Sequence, residues 1–174
     1  MRLAHNIGTE SHSNYHTREQ ILACDEPIGF DGVYLNVYEN QDVLEGKSGI
    51  MFVMGNYMGK GNAFDLLNVP KLEKYCTLTQ VKELCAKYDF ELGWHTWSHR
   101  NLRYLSDREV RLEITAPFPT KYLRYPHGEY DDRVVALVKE AGYEKAYSVT
   151  QGVLAGDAPD AQYKIFSDYV DWIP

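Results

Sequence analysis

"FELGWHTWSHRNL", residues 90–102, sets a short apolar run against a turn that carries His95 and His99, four positions apart. The run reads as a buried strand, and its polar residues arrive directly after it. In parallel β/α folds the C-terminal ends of the strands gather at one face, where side chains converge on a ligand. Two imidazoles at this spacing suit a divalent metal, with the hydroxyls of Thr96 and Ser98 available to order the turn. Two hydrogen-bonded histidines without a metal would give the same spacing. A metal site needs a third ligand, and an Asp from another strand end would complete one while leaving a position open for chemistry.

Outward from this stretch, short strand-like runs alternate with helix-like patterns, which predicts an α/β architecture. "TREQILAC" (17–24) reads as a short helix and "IGFDG" (28–32) as a strand ending in a turn. "VYLNVYENQDVLEGK" (33–47) has helical spacing through Val33, Val37, Tyr38, Val43 and Leu44, and "GIMFVMG" (49–55) is the next strand. Residues 56–77 predict a loop with some local helix. "LTQVKELCAKY" resumes a helix, with Thr79 as its cap, and "SDREVRLEI" carries a capping box from Ser106 to Glu109. "YLRYP" is a strand, "DDRVVALVKEAGY" a helix ending at Gly142, "KAYSV" a strand, and "YKIFSDYVDW" supplies one more. Asp31, His95, His99 and Arg124 all fall at or just after strand-like runs. Their positions agree with one site.

The 174 residues, 44% hydrophobic and 13% aromatic, predict a single globular domain over 1–174. The 25 acidic side chains outnumber the 18 basic ones, for a formal charge of -7, and no basic run is present. Nucleic acid is therefore not an expected partner. No stretch approaches the roughly 20 apolar residues of a membrane span, and the start lacks the apolar core of about 7 to 15 residues of a secretion signal. The expectation is a cytoplasmic protein. Cys24, Cys76 and Cys85 are odd in number and form no C-x-x-C pair, which predicts free thiols.

Several motifs then align in order. "HTWSH" (95–99) fits the pattern H-S/T-x-x-H, and "RYPHG" (124–128) fits R-x-P-x-G and is followed by "YDDRVVALVKEAGY". "GFDGVYLNVYEN" (29–40) and "IMFVMG" (50–55) precede them. Over residues 28–150 the chain resembles the polysaccharide deacetylases of the NodB-homology type, a carbohydrate esterase group. The resemblance implies a distorted (β/α) barrel in which His95 and His99 bind a divalent metal, commonly zinc. It implies a first-motif Asp pair acting as base and third ligand, and Arg124 orienting the base. The backbone of Pro126 and Gly128, with Tyr125 and Trp97 beside it, would hold the substrate. That substrate would be an N-acetylated sugar or polysaccharide, cleaved to an amine and acetate.

The departures are as specific as the matches. Asp31 stands where the family has its base, and Gly32 stands where it has the metal-binding Asp. With a one-residue shift Asp31 becomes the ligand instead, and both assignments remain open. One carboxylate does not easily do both, since a metal-bound carboxylate is a poor base. Asp25 and Glu26 in "CDEP" are nearby substitutes. No histidine follows Gly128, so the family's late proton donor is absent and His127 is the candidate in its place. An incomplete first motif also fits a non-catalytic carbohydrate- or partner-binding protein, or a hydrolase of another C–N bond.

Overall fold

The computed structural model describes residues 4–5, 18–63, 73–148 and 160–166. Among the described residues seven strands, β1 (Ala4–His5), β2 (Ile28–Asp31), β3 (Ser48–Val53), β4 (Asp89–Trp94), β5 (Tyr122–Arg124), β6 (Lys145–Ser148) and β7 (Ile165–Phe166), form one sheet in chain order. Every neighbouring pair is parallel. Parallel neighbours require a crossover, and among the described residues a helix lies in each of the first five of the six, as α1 (Arg18–Ala23), α2 (Leu35–Glu39), α3 (Leu78–Lys87), α4 (Asp107–Ile114) and α5 (Asp132–Glu140).

The helices begin where side chains satisfy their first free N–H groups. Thr77 and Gln80 form a reciprocal capping box on α3, and Ser106 and Glu109 form another on α4. The α3 cap is thus Thr77 rather than Thr79, because only Thr77 has its partner three residues on. Asp131 caps α5 by accepting from the Val134 N–H at 2.8 Å, and Gly142, at φ +87°, turns the chain past the end of that helix. The helical run expected over 33–47 is split into α2 and a 3-10 turn at Gln41–Leu44. β1 lies outside any expected element. The expected loop has a 3-10 turn at Gly55–Tyr57, while residues 64–72 and 167–172 lie outside the described residues.

The sheet curls until strands three places apart touch. On a flat sheet β2 and β5 would lie roughly 14 Å apart at about 4.8 Å per strand. Yet Arg124 on β5 reaches Asp31 on β2 at 2.6 Å, and the rings of Phe52 on β3 and Tyr147 on β6 meet at 5.6 Å. The result is a curled β/α half-barrel with helices outside, in agreement with the expected distorted barrel. Alternation along each strand divides the side chains between two cores. Phe30, Met51, Val53, Trp94, Leu123, Tyr125 and Ala146 pack outward with the helices, and Ile50, Phe52 and Tyr147 fill the inside.

Candidate active site

The inward-facing side chains at the C-terminal ends of β2, β4 and β5 meet at one end of the curl. Asp31 is the last residue of β2, Arg124 the last of β5, and His95 follows directly on β4. All three are buried. Arg124 donates through Nη1 to Asp31 Oδ1 at 2.6 Å and to the Gly29 carbonyl at 3.3 Å, and its guanidinium lies over the Phe52 ring at 4.9 Å. A carboxylate buried this deeply needs such a counter-charge to stay ionised. The other carboxylate oxygen, Oδ2, lies 3.8 Å from His95 Nε2.

His95 is set by two backbone contacts. Its N–H donates to the Val53 carbonyl, and its Nδ1 lies 2.9 Å from the Arg124 carbonyl. A carbonyl only accepts, so Nδ1 carries the proton and Nε2 presents a lone pair. Burial pushes the His95 imidazole down to about 3 against the pull of that carbonyl, with the charge of Arg124 and the nearby His127 adding to the depression. It is neutral at physiological pH. His99 is also held well below its ordinary value, by burial and then by His95 and His127, while Asp31 acts in the opposite sense.

The Nε2 atoms of His95 and His99 stand 3.1 Å apart. Two nitrogens bound to one zinc at about 2.05 Å in tetrahedral geometry would be roughly 3.3 Å apart. The pair therefore fits a shared cation, whereas the 3.8 Å between Asp31 Oδ2 and His95 is wider. Among the described residues no three His, Cys, Asp or Glu side chains are already gathered in metal-holding geometry.

The turn that presents His99 is strained and anchored. Thr96 and His99 both adopt positive φ, at 67° and 57°, a conformation uncommon outside glycine. The Thr96 hydroxyl accepts from the His99 N–H at 3.2 Å. Glu113, near the end of α4 and 7% exposed, accepts from the Trp97 N–H at 3.0 Å and the Ser98 N–H at 2.9 Å, and also from the Ser98 hydroxyl. A buried carboxylate with three donors fixes the loop between the two histidines. Sequence reading missed Glu113, although it shares the helical stripe of Val110 and Ile114, where an acidic residue is out of place.

The second turn, Pro126–Gly128, places His127 at φ 59° and ψ 7° beside His99, their ring centroids 4.7 Å apart. Ser148 on β6 donates to the Gly128 carbonyl and ties the turn to the sheet. The residues expected beside the sugar are mostly buried. Arg124 points inward, so its neighbour Tyr125 points outward into the helix-side core, 1% exposed, with its hydroxyl on the Tyr163 carbonyl. That placement follows from strand alternation. Pro126 and Gly128 are buried too. Trp97 is half-buried, donates through Nε1 to the Thr115 carbonyl, and packs edge-on against Trp94 at 5.1 Å. Asp25 and Glu26 are exposed ahead of β2, at the opposite end of the strand from Asp31, so they do not reach the cluster.

A parallel β/α half-barrel with a histidine pair, a buried Asp–Arg pair and strand-end turns at one rim has the layout of a β/α-barrel fold that gathers its site at the C-terminal ends of the strands. A family model described as polysaccharide deacetylase matches residues 45–146, and the chain belongs to that family. The match begins after Asp31 and Gly32, where the first motif is altered. Chitin deacetylase 1 of Saccharomyces cerevisiae is 40% identical over an alignment of 60 residues that covers 29% of this chain and 20% of that protein. The chain thus spans about a fifth of that curated relative.

Solved structures share the fold. The Streptococcus pyogenes deacetylase PplD in complex with acetate aligns with a TM-score of 0.62 at 17% identity, over 85% of this chain and 65% of that one. The BpsB deacetylase domain from Bordetella bronchiseptica gives 0.61 at 15% identity, over 82% and 70%. IcaB from Ammonifex degensii gives 0.56 at 20% identity, over 70% and 58%. Identities this low carry the fold alone. Among the described residues no helix is long and apolar enough to cross a membrane.

Proposed function

We propose that this chain is a metal-dependent hydrolase that removes acetyl groups from an N-acetylated sugar or polysaccharide. The observation that carries the reading is the meeting of the His95–His99 pair with the Arg124–Asp31 pair at one rim of the barrel. His95 and His99 would hold a divalent cation, and zinc suits neutral imidazole nitrogens, as do cobalt, nickel and iron. When bound, such a cation supplies polarisation of the acetyl carbonyl and acidification of water.

The chain's own residues do the rest. Asp31, ionised beside Arg124, accepts a proton from the attacking water through Oδ2, the oxygen that Arg124 does not hold at 2.6 Å. Arg124 keeps the carboxylate aimed at the histidines. Protonated Asp31 then returns the proton to the nitrogen of the breaking C–N bond, leaving an amine and acetate. The Arg124 carbonyl holds the His95 ring in the tautomer whose Nε2 lone pair faces the site.

The test is acetate release from N-acetylglucosamine oligomers beside a panel of non-sugar amides, with zinc present, by the wild type and His95→Ala. Release from the sugars alone, abolished in the variant, is expected. Release from a non-sugar amide alone would shift the reading to another C–N hydrolase. One observation favours a second reading, a non-catalytic glycan-binding protein: Gly32 cannot carry a ligand side chain, since a Cβ there would lie 2.7 Å from Tyr75 Cε1 and 2.8 Å from Met54 Cε. Saturable glycan binding without acetate release under any added metal would select it.

A further inference from the structure

We propose that Tyr104 is a stacking platform for a second sugar unit, a subsite on the rim away from the bond that is cleaved. The proposal rests on the reading of the rim as a site for an N-acetylated sugar and deepens it, because it makes a chain of sugars the preferred ligand over a single one. Its starting point is exposure. Tyr104 is 79% exposed, more than Leu112 at 61% or Leu22 at 49%, the other large apolar side chains left in solvent among the described residues. One exposed apolar residue is ordinary by itself. The place of this one and the rigidity of its backbone carry the argument.

The place follows from the β/α connection. A helix that crosses between parallel strands runs back along the sheet, so it begins at the end where the preceding strand stops. Tyr104 closes the 3-10 turn Leu102–Tyr104, which lies between His99 and Ser106, the cap of α4. It therefore stands on the same rim as His95 and His99. Its position five residues after His99 keeps the two within about 18 Å even for a fully extended chain. Glu129, directly after the Pro126–Gly128 turn, joins the two loops. Its Oε2 accepts from Asn101 Nδ2 at 2.7 Å and from Arg103 Nη1 at 3.1 Å.

The backbone under the ring is held from several sides. Leu102 and Leu105 are buried to either side of it. Asn101 Oδ1 accepts from the Arg103 N–H at 3.1 Å, and the Asn101 carbonyl accepts from the Tyr104 N–H at 3.3 Å. Arg133, in the first turn of α5, donates through Nη2 to the Leu102 carbonyl at 3.3 Å and to the Arg103 carbonyl at 3.2 Å. A ring on a fixed backbone has only its two side-chain torsions to lose when it is covered, so a ligand that stacks on it meets a small ordering cost. The face of a sugar ring is made of C–H groups and its edge of hydroxyls. An aromatic body with a polar tip matches both.

N-acetylglucosamine oligomers are the probe, with zinc present. Calorimetry gives oligomer affinity for the full chain, Tyr104→Ala and Tyr104→Phe, and acetate release from the oligomers and from N-acetylglucosamine itself gives the oligomer-to-monomer ratio of kcat/KM. Circular dichroism checks that each variant is folded. Affinity and ratio should both fall roughly three- to tenfold in Tyr104→Ala, the worth of one aromatic contact, and Tyr104→Phe, which keeps the ring, should restore both. Wild-type affinity or a wild-type ratio in Tyr104→Ala would overturn the proposal, as would a Phe variant as weak as the Ala variant. Failure of the wild type to bind any oligomer would overturn it too. Oligomer binding that depends on Tyr104 but releases no acetate would uphold the platform and overturn the hydrolase reading beneath it.

Discussion

Asp31 and Arg124 form a buried ion pair in which each charge is stable because the other is there. Replacing Asp31 with Asn keeps the shape and removes the counter-charge, and an uncompensated buried guanidinium is costly. Denaturant unfolding of Asp31→Asn should show a loss of about 3 kcal/mol, together with a fall in acetate release of roughly a hundredfold or more for loss of a general base. Unchanged stability would mean that the pair does not hold the site together. His95 makes a second residue-scale prediction. Its folded value of about 3 lies below the ordinary 6.5, so between these values the unfolded chain binds more protons than the folded one. Stability is retained above about pH 6.5 and is lost as pH falls through that window. From pH 7 to pH 5 the metal-free protein should lose about 2 kcal/mol on account of His95, a loss that is absent in His95→Asn; equal pH dependence in the two would contradict a buried neutral imidazole. These residues were legible in the sequence because each sits at the end of an apolar run. The Asp31–Arg124 contact was implied only by the family resemblance and not by local pattern, since it spans 93 positions and depends on how far the sheet curls.

Among the elements, the 95–99 turn and α4 act as one unit through Glu113. The expectation for "SDREVRLEI" was a capped helix, and the box at Ser106 and Glu109 is present. Local chemistry decides a cap, which is why it could be read. Glu113 was not read because α4 is rich in charge and its acidic residues look like a solvated face. The structure turns one of them inward, where it accepts from Trp97 and Ser98. Glu113→Gln keeps the volume and one acceptor oxygen for the Trp97 and Ser98 N–H groups, but it removes the negative charge that strengthens those bonds and sets a donor against the Ser98 hydroxyl, which must turn from donating to accepting. A loss of about 2 kcal/mol in stability is expected, with zinc affinity by calorimetry weakened roughly tenfold, as for an outer-shell partner. Reduced stability with unaltered zinc affinity would make Glu113 a packing anchor only. The short β1 gave no signal, since two residues are too few for any period.

Over the whole molecule, the curl of the sheet brings β2 and β5 into contact, and the inside of the curl has little spare room. Gly93 on β4 faces Phe52 and Ile50, and a Cβ there would stand 2.5 Å from Phe52 Cδ1 and 2.8 Å from Ile50 Cγ2. Gly93→Ala should therefore lower stability by about 1–3 kcal/mol through overpacking and, by opening the curl, reduce acetate release; a neutral result in thermal unfolding and activity would show that the interior yields. The alternation of strands and helices gave the architecture from sequence, and the motif order singled out residues whose side chains meet at one rim. Strand alternation also puts Tyr125 in the helix-side core once Arg124 faces inward. The central claim is that this rim is a metal-dependent deacetylating site, and its most direct test is acetate release from N-acetylglucosamine oligomers by metal-stripped protein as zinc is returned. Release that rises with zinc and saturates at one equivalent per chain is the predicted result. No release at any zinc level, or release indifferent to stripping, would contradict it.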